Sequence, residues 1–205
     1  MDAQHHPFVV REGLGETHAD IVRHAARLFG TMGYTKTNIG EIAEGVGMSP
    51  GNLYRYYRNK QAIGEEVVRC YLAYAEQQME AAIEAVPEGA EARLRAMFGV
   101  GIGDLLDSLR EYPRMVEMAD MICASDSGIL FAHLEWKTGT FARLLRDGVQ
   151  SGEWVVQDPD AMAETLLDAT RAFWMPMALA QLDPARVPDR VRGVLDVLIA
   201  GWRAA

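Results

Sequence analysis

The stretch GMSPGNLYRYYRNK, Gly47 to Lys60, carries three basic residues and three tyrosines, and no acidic residue occurs between Gly45 and Gly64. The chain around it has 205 residues and a formal net charge of -9. A window kept free of carboxylates inside an acidic protein calls for a local reason. Residues 1–66 hold seven Arg and Lys against eight Asp and Glu, whereas residues 67–205 hold thirteen against twenty-one, so the acidity is concentrated after residue 66.

Within the window, Ser49 followed by Pro50 marks a helix start. The serine hydroxyl accepts from a free backbone N–H, and proline costs nothing at the first helical position. This helix is brief and ends near Tyr57, because Asn59 is a second N-cap that opens a long amphipathic stretch with Ile63, Val67, Tyr71, Tyr74 and Met79 along one side. Upstream, Ile39, Ile42, Ala43 and Val46 fall at i, i+3, i+4 and i+7, and Asn38 with Glu41 has the spacing of a capping box. Gly47 supplies the tight turn between these two short helices. An earlier helix runs from Thr17, read as its N-cap, to Gly33, with Ile21, Val22, Ala25, Leu28, Phe29 and Met32 on one face.

Two helices joined through Gly47 form a helix-turn-helix, which lays its second helix in the DNA major groove. A carboxylate on that helix would face phosphates spaced about one charge per 1.7 Å of duplex, which accounts for the acid-free window. At this point the segment from Ile21 to Val67 resembles the TetR/AcrR family of bacterial transcriptional regulators. The matching features are Ala26, Leu28-Phe29, Gly33-Tyr34, Thr37, Ile42-Ala43, Gly47, Ser49, Gly51, Leu53-Tyr54, Tyr57 and Lys60. Tyr57 stands where the family often has Phe, Gln61 where it often has Glu, and Pro50 where it usually has another residue.

The resulting expectation is an all-α protein. An N-terminal three-helix helix-turn-helix domain, residues 17–66, follows a flexible arm, residues 1–16, and is joined by a long fourth helix to a C-terminal bundle within residues 67–205. The expected DNA-facing residues are Thr37, Asn38, Ser49, Pro50, Gly51, Asn52, Tyr54, Arg55, Tyr56 and Lys60. Lys60 is the most telling, because the macrodipole disfavours a cation at a helix N-terminus unless a phosphate sits there. Arg55 suits bidentate reading of guanine and Asn52 of adenine, each worth roughly 1–3 kcal/mol of discrimination. Arg58 and Arg11 are further candidates for backbone or minor-groove contacts. Leu53 and Tyr57 are spaced to face the core.

The remainder reads as five further helices, broken at Pro87 and Gly89, at Tyr112-Pro113, between Ser125 and Gly128, and at Gly152, with Asp158-Pro159 and Pro188-Asp189 opening the last two. Those two are apolar on more than one side, as helices are that bury one face inside and one against a partner. The resemblance implies a ligand chamber here and a homodimer built through the last two helices. Met115, Met118, Met121, Phe131, Trp136, Phe173, Trp174 and Met177 supply an adaptable apolar lining for a hydrophobic or aromatic effector, with core packing as the competing reading. Pro176, inside an otherwise helical run, is expected to kink its helix.

Other classes find little support in the residues. Hydrophobic residues are 49% and charged residues 24%, as in ordinary globular proteins. No run approaches the ~18 apolar residues of a membrane span, and no leader is apparent, so a cytoplasmic protein without membrane contact is expected. Cys70 and Cys123, without Cys-x-x-Cys spacing, are read as buried thiols. His133 and Glu135 lack metal-ligand spacing, and His5-His6 reads as a solvated tail. No nucleophile elbow, phosphate loop or paired catalytic carboxylates appear, so neither enzymatic activity nor a cofactor is expected. The reading is a ligand-responsive regulator, most simply a repressor, with double-stranded operator DNA, a second copy of itself and a small effector as partners. The alternative is a helical sensor that acts through protein contacts with a helix-turn-helix no longer used on DNA.

Overall fold

Along α1, Glu16–Met32, the residues recurring at three and four, Ile21, Val22, Ala25, Ala26 and Phe29, are all buried. The computed structural model describes residues 10, 11, 13–87, 89–125 and 127–203. His5, His6 and most of the expected arm lie outside the described residues. Thr17 is not the cap expected of it. The helix opens two residues earlier, behind Gly15, whose carbonyl accepts from the Ala19 N–H at 2.9 Å, and no side chain caps it. Glu16 then provides the negative charge that the positive end of the helix dipole favours. Gly33 ends α1 at φ 98°, a conformation that side chains rarely adopt.

Three further elements follow: α2, Ile39–Gly45; α3, Pro50–Leu53; and the long α4, Lys60–Glu84. After them come α5, Ala90–Glu111; α6, Met115–Cys123; and α7, Ile129–Ser151. The last part holds α8, Pro159–Trp174; a single turn, α9, Pro176–Leu179; a 3-10 turn, Pro184–Arg186; and α10, Val187–Trp202. No strand occurs among the described residues. The all-α architecture is therefore as expected. Pro176 does more than kink its helix: it ends it. Met175 is extended, at φ -99° and ψ 116°, because a residue before proline is pushed out of the helical region and proline brings no N–H for the carbonyl of Ala172.

The chain packs as two compact units: the part up to Ala75 with Asp107–Leu130, and Glu76–Leu106 with the part from Phe131 onward. In the first, Ile21, Phe29, Ile42, Leu53, Ile63 and Val67 share one apolar core with Tyr112, Met115 and Met118. Thus α6 completes the core beneath the helix-turn-helix. A fully buried side chain such as Phe29 contributes roughly 1.5–3 kcal/mol. In the second unit, Leu94, Met97, Phe98, Phe141, Leu144 and Leu145 are almost fully buried. There the Glu153 carboxylate accepts from the N–H groups of Ala90 and Glu91 at 2.9 and 3.2 Å, closing the open end of α5. Three helices, α4, α5 and α7, carry the chain from one unit to the other. Cys70 is buried, but Cys123 is exposed. It follows Ile122 by one residue, so it lies off the stripe of Met115, Met118 and Ile122 that α6 buries.

Candidate nucleic-acid interface

Both helices of the helix-turn-helix begin with side-chain caps. Asn38 Oδ1 accepts from the Glu41 N–H at 3.0 Å, while the Glu41 carboxylate accepts from the Asn38 N–H at 2.8 Å, completing the capping box. Ser49 Oγ accepts from the Asn52 N–H at 3.3 Å, and Pro50 takes the first helical position. Gly47, at φ 67°, turns the chain between them. At Gly45 a Cβ would lie 1.8 Å from His24 Nε2, so α1 and α2 pack against each other through the bare glycine.

These caps aim the side chains. Leu53 is fully buried and Tyr57 nearly so, which turns Ser49, Pro50, Gly51, Arg55 and the 52% exposed Tyr54 outward. A Cβ at Gly51 would meet nothing within 4 Å, so that glycine answers no packing need inside the chain. Asn52 is half-buried. Tyr56 is half-buried too, its ring edge-on to His18 at 5.1 Å. The sealed Tyr57 hydroxyl has no hydrogen-bond partner among the described residues, and burial, with help from Glu66, pushes its pKa up to about 12.

Other residues expected at the interface have partners within the chain. Thr37 is buried, and its hydroxyl donates to the Gly33 carbonyl at 2.9 Å. The Lys60 ammonium donates to the carbonyls of Tyr34 at 2.9 Å and Thr37 at 3.0 Å, and lies 4.5 Å from the centre of the Tyr34 ring. It thereby ties the α1–α2 loop to the start of α4, where Asn59 Oδ1 caps the Ala62 N–H at 2.8 Å. Arg11 pairs with Glu66 at 2.6 Å, and Arg69 also reaches Glu66, at 3.0 Å. The Glu66 carboxylate, just past the acid-free window, is thus held by two cations. Arg58 remains exposed.

The residues expected around a ligand are divided. Met115, Met118 and Met121 belong to the first unit, where Met121 Cε would lie 2.8 Å from a Cβ at Gly64. Phe131, Trp136, Phe173, Trp174 and Met177 belong to the second. Phe131 is 66% and Met177 47% exposed, whereas Phe173 is buried and Trp136 and Trp174 are half-buried. Trp174 packs with Phe98 at 4.9 Å and Phe141 at 6.4 Å between ring centres. Buried Lys137 beside it escaped the reading of the sequence, in which buried His133, one turn earlier, figures only as a metal ligand. Their signal was an i, i+4, i+7 row of His133, Lys137 and Thr140 interleaved with apolar positions of α7.

Fold and interface together define an all-helical protein built around a capped helix-turn-helix. Residues 21–67 match the family described as bacterial regulatory proteins, tetR family, and residues 90–195 match the tetracyclin repressor-like C-terminal domain. The chain belongs to the tetR family of bacterial regulatory proteins. Among solved structures it resembles a TetR-family transcriptional regulator from Mesorhizobium loti, 19% identical over 92% of this chain and 97% of that one, with a TM-score of 0.72. A second, from Pectobacterium atrosepticum, is 18% identical over 93% and 95% of the two chains, with a TM-score of 0.70. A third, SmeT solved in complex with triclosan, is 18% identical over 93% of each chain, with a TM-score of 0.65. At these identities the likeness speaks to the fold. No curated protein matches the chain.

Proposed function

We propose that the protein is a homodimeric repressor that binds a pseudo-palindromic operator and is released by a small molecule held in its C-terminal unit. The observation that carries this reading is the acid-free face of α3. Ser49, Pro50, Gly51, Tyr54 and Arg55 stand exposed along capped α3 and the turn that follows it, while Leu53 and Tyr57 are locked into the core. Asn38 at the start of α2 and the first turn of α4 supply flanking phosphate contacts, with Lys60 shaping the loop between them. In a two-fold dimer the recognition helices meet half-sites separated by one helical turn, roughly 34–36 Å, or a related spacing.

Dimerisation is assigned to α8 and α10. On α10, Val187, Val191, Leu195, Ile199 and Trp202 are buried, while Val194 and Leu198 are half-buried and Val197 is 74% exposed. On α8, Ala161, Thr165, Ala169 and Ala172 line an exposed row of small residues. Such a surface lets a second copy approach closely and bury a second apolar face. The triclosan complex of SmeT supports a small-molecule effector, and the apolar surroundings of Trp174 support a hydrophobic or aromatic one. The effector must favour the arrangement that does not fit the operator, and operator binding opposes effector binding by the same factor.

The test is a mobility shift of the purified protein on DNA upstream of its own gene, at two salt concentrations and with excess competitor. A specific, salt-sensitive dimer complex is expected. Binding no tighter than to competitor DNA would count against the operator reading.

A further inference from the structure

Lys137, on α7, is 2% exposed, and its Nζ lies 3.8 Å from the centre of the Trp174 ring. Among the described residues no hydrogen bond or ion pair to that ammonium forms, and Nζ is not one of the fully sealed atoms, so it keeps a trace of accessible surface. The carboxylate whose field reaches it, Glu76 of α4, is taken by its neighbour instead: His133 Nδ1 lies 2.7 Å from Glu76 Oε1, one turn before Lys137. Buried lysines are ordinarily paired, because an ammonium removed from water without an acceptor is costly. An aromatic face offsets only part of that cost.

The ring beneath it is fixed. Trp174 Nε1 donates to Thr170 Oγ1 at 3.1 Å. A Cβ at Gly101 would fall 2.8 Å from Trp174 Cζ3 and 2.6 Å from Met79 Sδ, so the indole sits directly on the backbone of α5. Met175 and Pro176 end α8 immediately after it. Phe98 and Phe141 complete apolar surroundings for the ring, above which the ammonium has no hydrogen-bonded counter-charge among the described residues.

We propose that Lys137 is the anion-receiving group of the effector site, and that the effector is a small apolar or aromatic molecule bearing a carboxylate. This rests on reading the second unit as the effector-binding one. The carboxylate takes the hydrogen-bonding positions of Nζ that the described residues leave empty, and its apolar body lies against the indole and the phenyl rings. His133 keeps Glu76 occupied and so keeps Lys137 available. Burial drags the Lys137 pKa down to about 7 and holds the His133 pKa below its usual value. An arriving carboxylate therefore also stabilises the protonated lysine.

The experiment uses the full chain and matched probes: benzoate with benzamide, indole-3-acetate with indole-3-acetamide, and octanoate with octanamide. Each is added to wild type and to Lys137→Met, and Tm and affinity are followed. Without any probe, Lys137→Met should melt at or above the wild-type Tm, because it removes an uncompensated charge and keeps an apolar chain of similar length. At least one acid should stabilise wild type more than its amide does, with affinity lost by ~10-fold or more in Lys137→Met, as expected for a charge-assisted hydrogen bond. A Lys137→Met variant that melts well below wild type would make the ammonium structural and overturn the proposal. So would a panel in which no acid outperforms its amide, or an acid effect that survives the substitution. Tm needs no DNA, so an acid that binds through Lys137 without releasing operator DNA upholds the site and counts against the repressor reading alone.

Discussion

The Lys60 ammonium donates to the carbonyls of Tyr34 and Thr37, so it closes the α1–α2 loop from the first residue of α4. Hydrogen bonds from a charged donor contribute about 1.5–3 kcal/mol, and Lys60→Ala should lose stability on that order in a urea melt. If the helix end also holds a phosphate, the same variant weakens binding to all DNA sequences and lowers the slope of log K against log salt by about 1. Lost stability with an unchanged slope would confine Lys60 to the loop. Gly51 makes the opposite case. A Cβ there meets nothing within 4 Å, so Gly51→Ala should leave Tm unchanged or slightly raised while weakening operator binding if the duplex approaches this face as proposed. Equal affinity for the variant would remove Gly51 from the interface.

Among the elements, α2 is seven residues and α3 four, too short to persist on their own propensity. They are held by caps and by the side chains they bury. Asn38→Ala removes one half of a reciprocal capping box and should cost about 1 kcal/mol, read as a lower urea midpoint with an unchanged m-value. A midpoint equal to wild type would mean that Ile42 and Ala43, both fully buried, hold α2 without its cap. The break after α8 has a different origin. The proline forces Met175 out of helix, and α9 is the single turn that packing on Leu179 allows before the chain turns again.

For the whole molecule, Val197 carries the dimer assignment. At 74% exposure its side chain contributes little within one chain, so Val197→Asp should leave Tm near wild type. It should nonetheless yield a monomer by light scattering, and that monomer should lose operator affinity. A variant that remains dimeric would move the interface elsewhere. The pH dependence of stability follows from the buried lysine. Its folded pKa, about 7, lies below the ordinary value of 10.5 that the unfolded chain recovers. Between those values the unfolded chain binds more protons, so this group makes stability rise with pH above about 7. The charged neighbours facing it, Glu76 from α4 and His133 from α7, are each other's partners. The Tm advantage of Lys137→Met over wild type should therefore be largest near pH 6 and shrink by pH 9, and a difference independent of pH would show that the ammonium is not buried as described. Above pH 10 the trend reverses. Tyr57 and Tyr112, both pushed up to about 12 by burial, keep protons that the unfolded chain has released.

The sequence by itself determined the helices, their caps at Asn38, Ser49 and Asn59, the turn at Gly47 and the acid-free face of α3. Each depends on residues within a few positions of one another, where periodicity, capping chemistry and charge act locally. Tertiary structure decided what those helices touch. That Lys60 binds loop carbonyls 23 and 26 residues away, that Met115 and Met118 complete the core of the first unit, and that Lys137 faces Trp174 while His133 takes Glu76 are consequences of packing between distant segments. An amphipathic stripe says which face is buried. Only the arrangement of the helices says against what, and whether a polar residue on that face finds a partner or is left to wait for one.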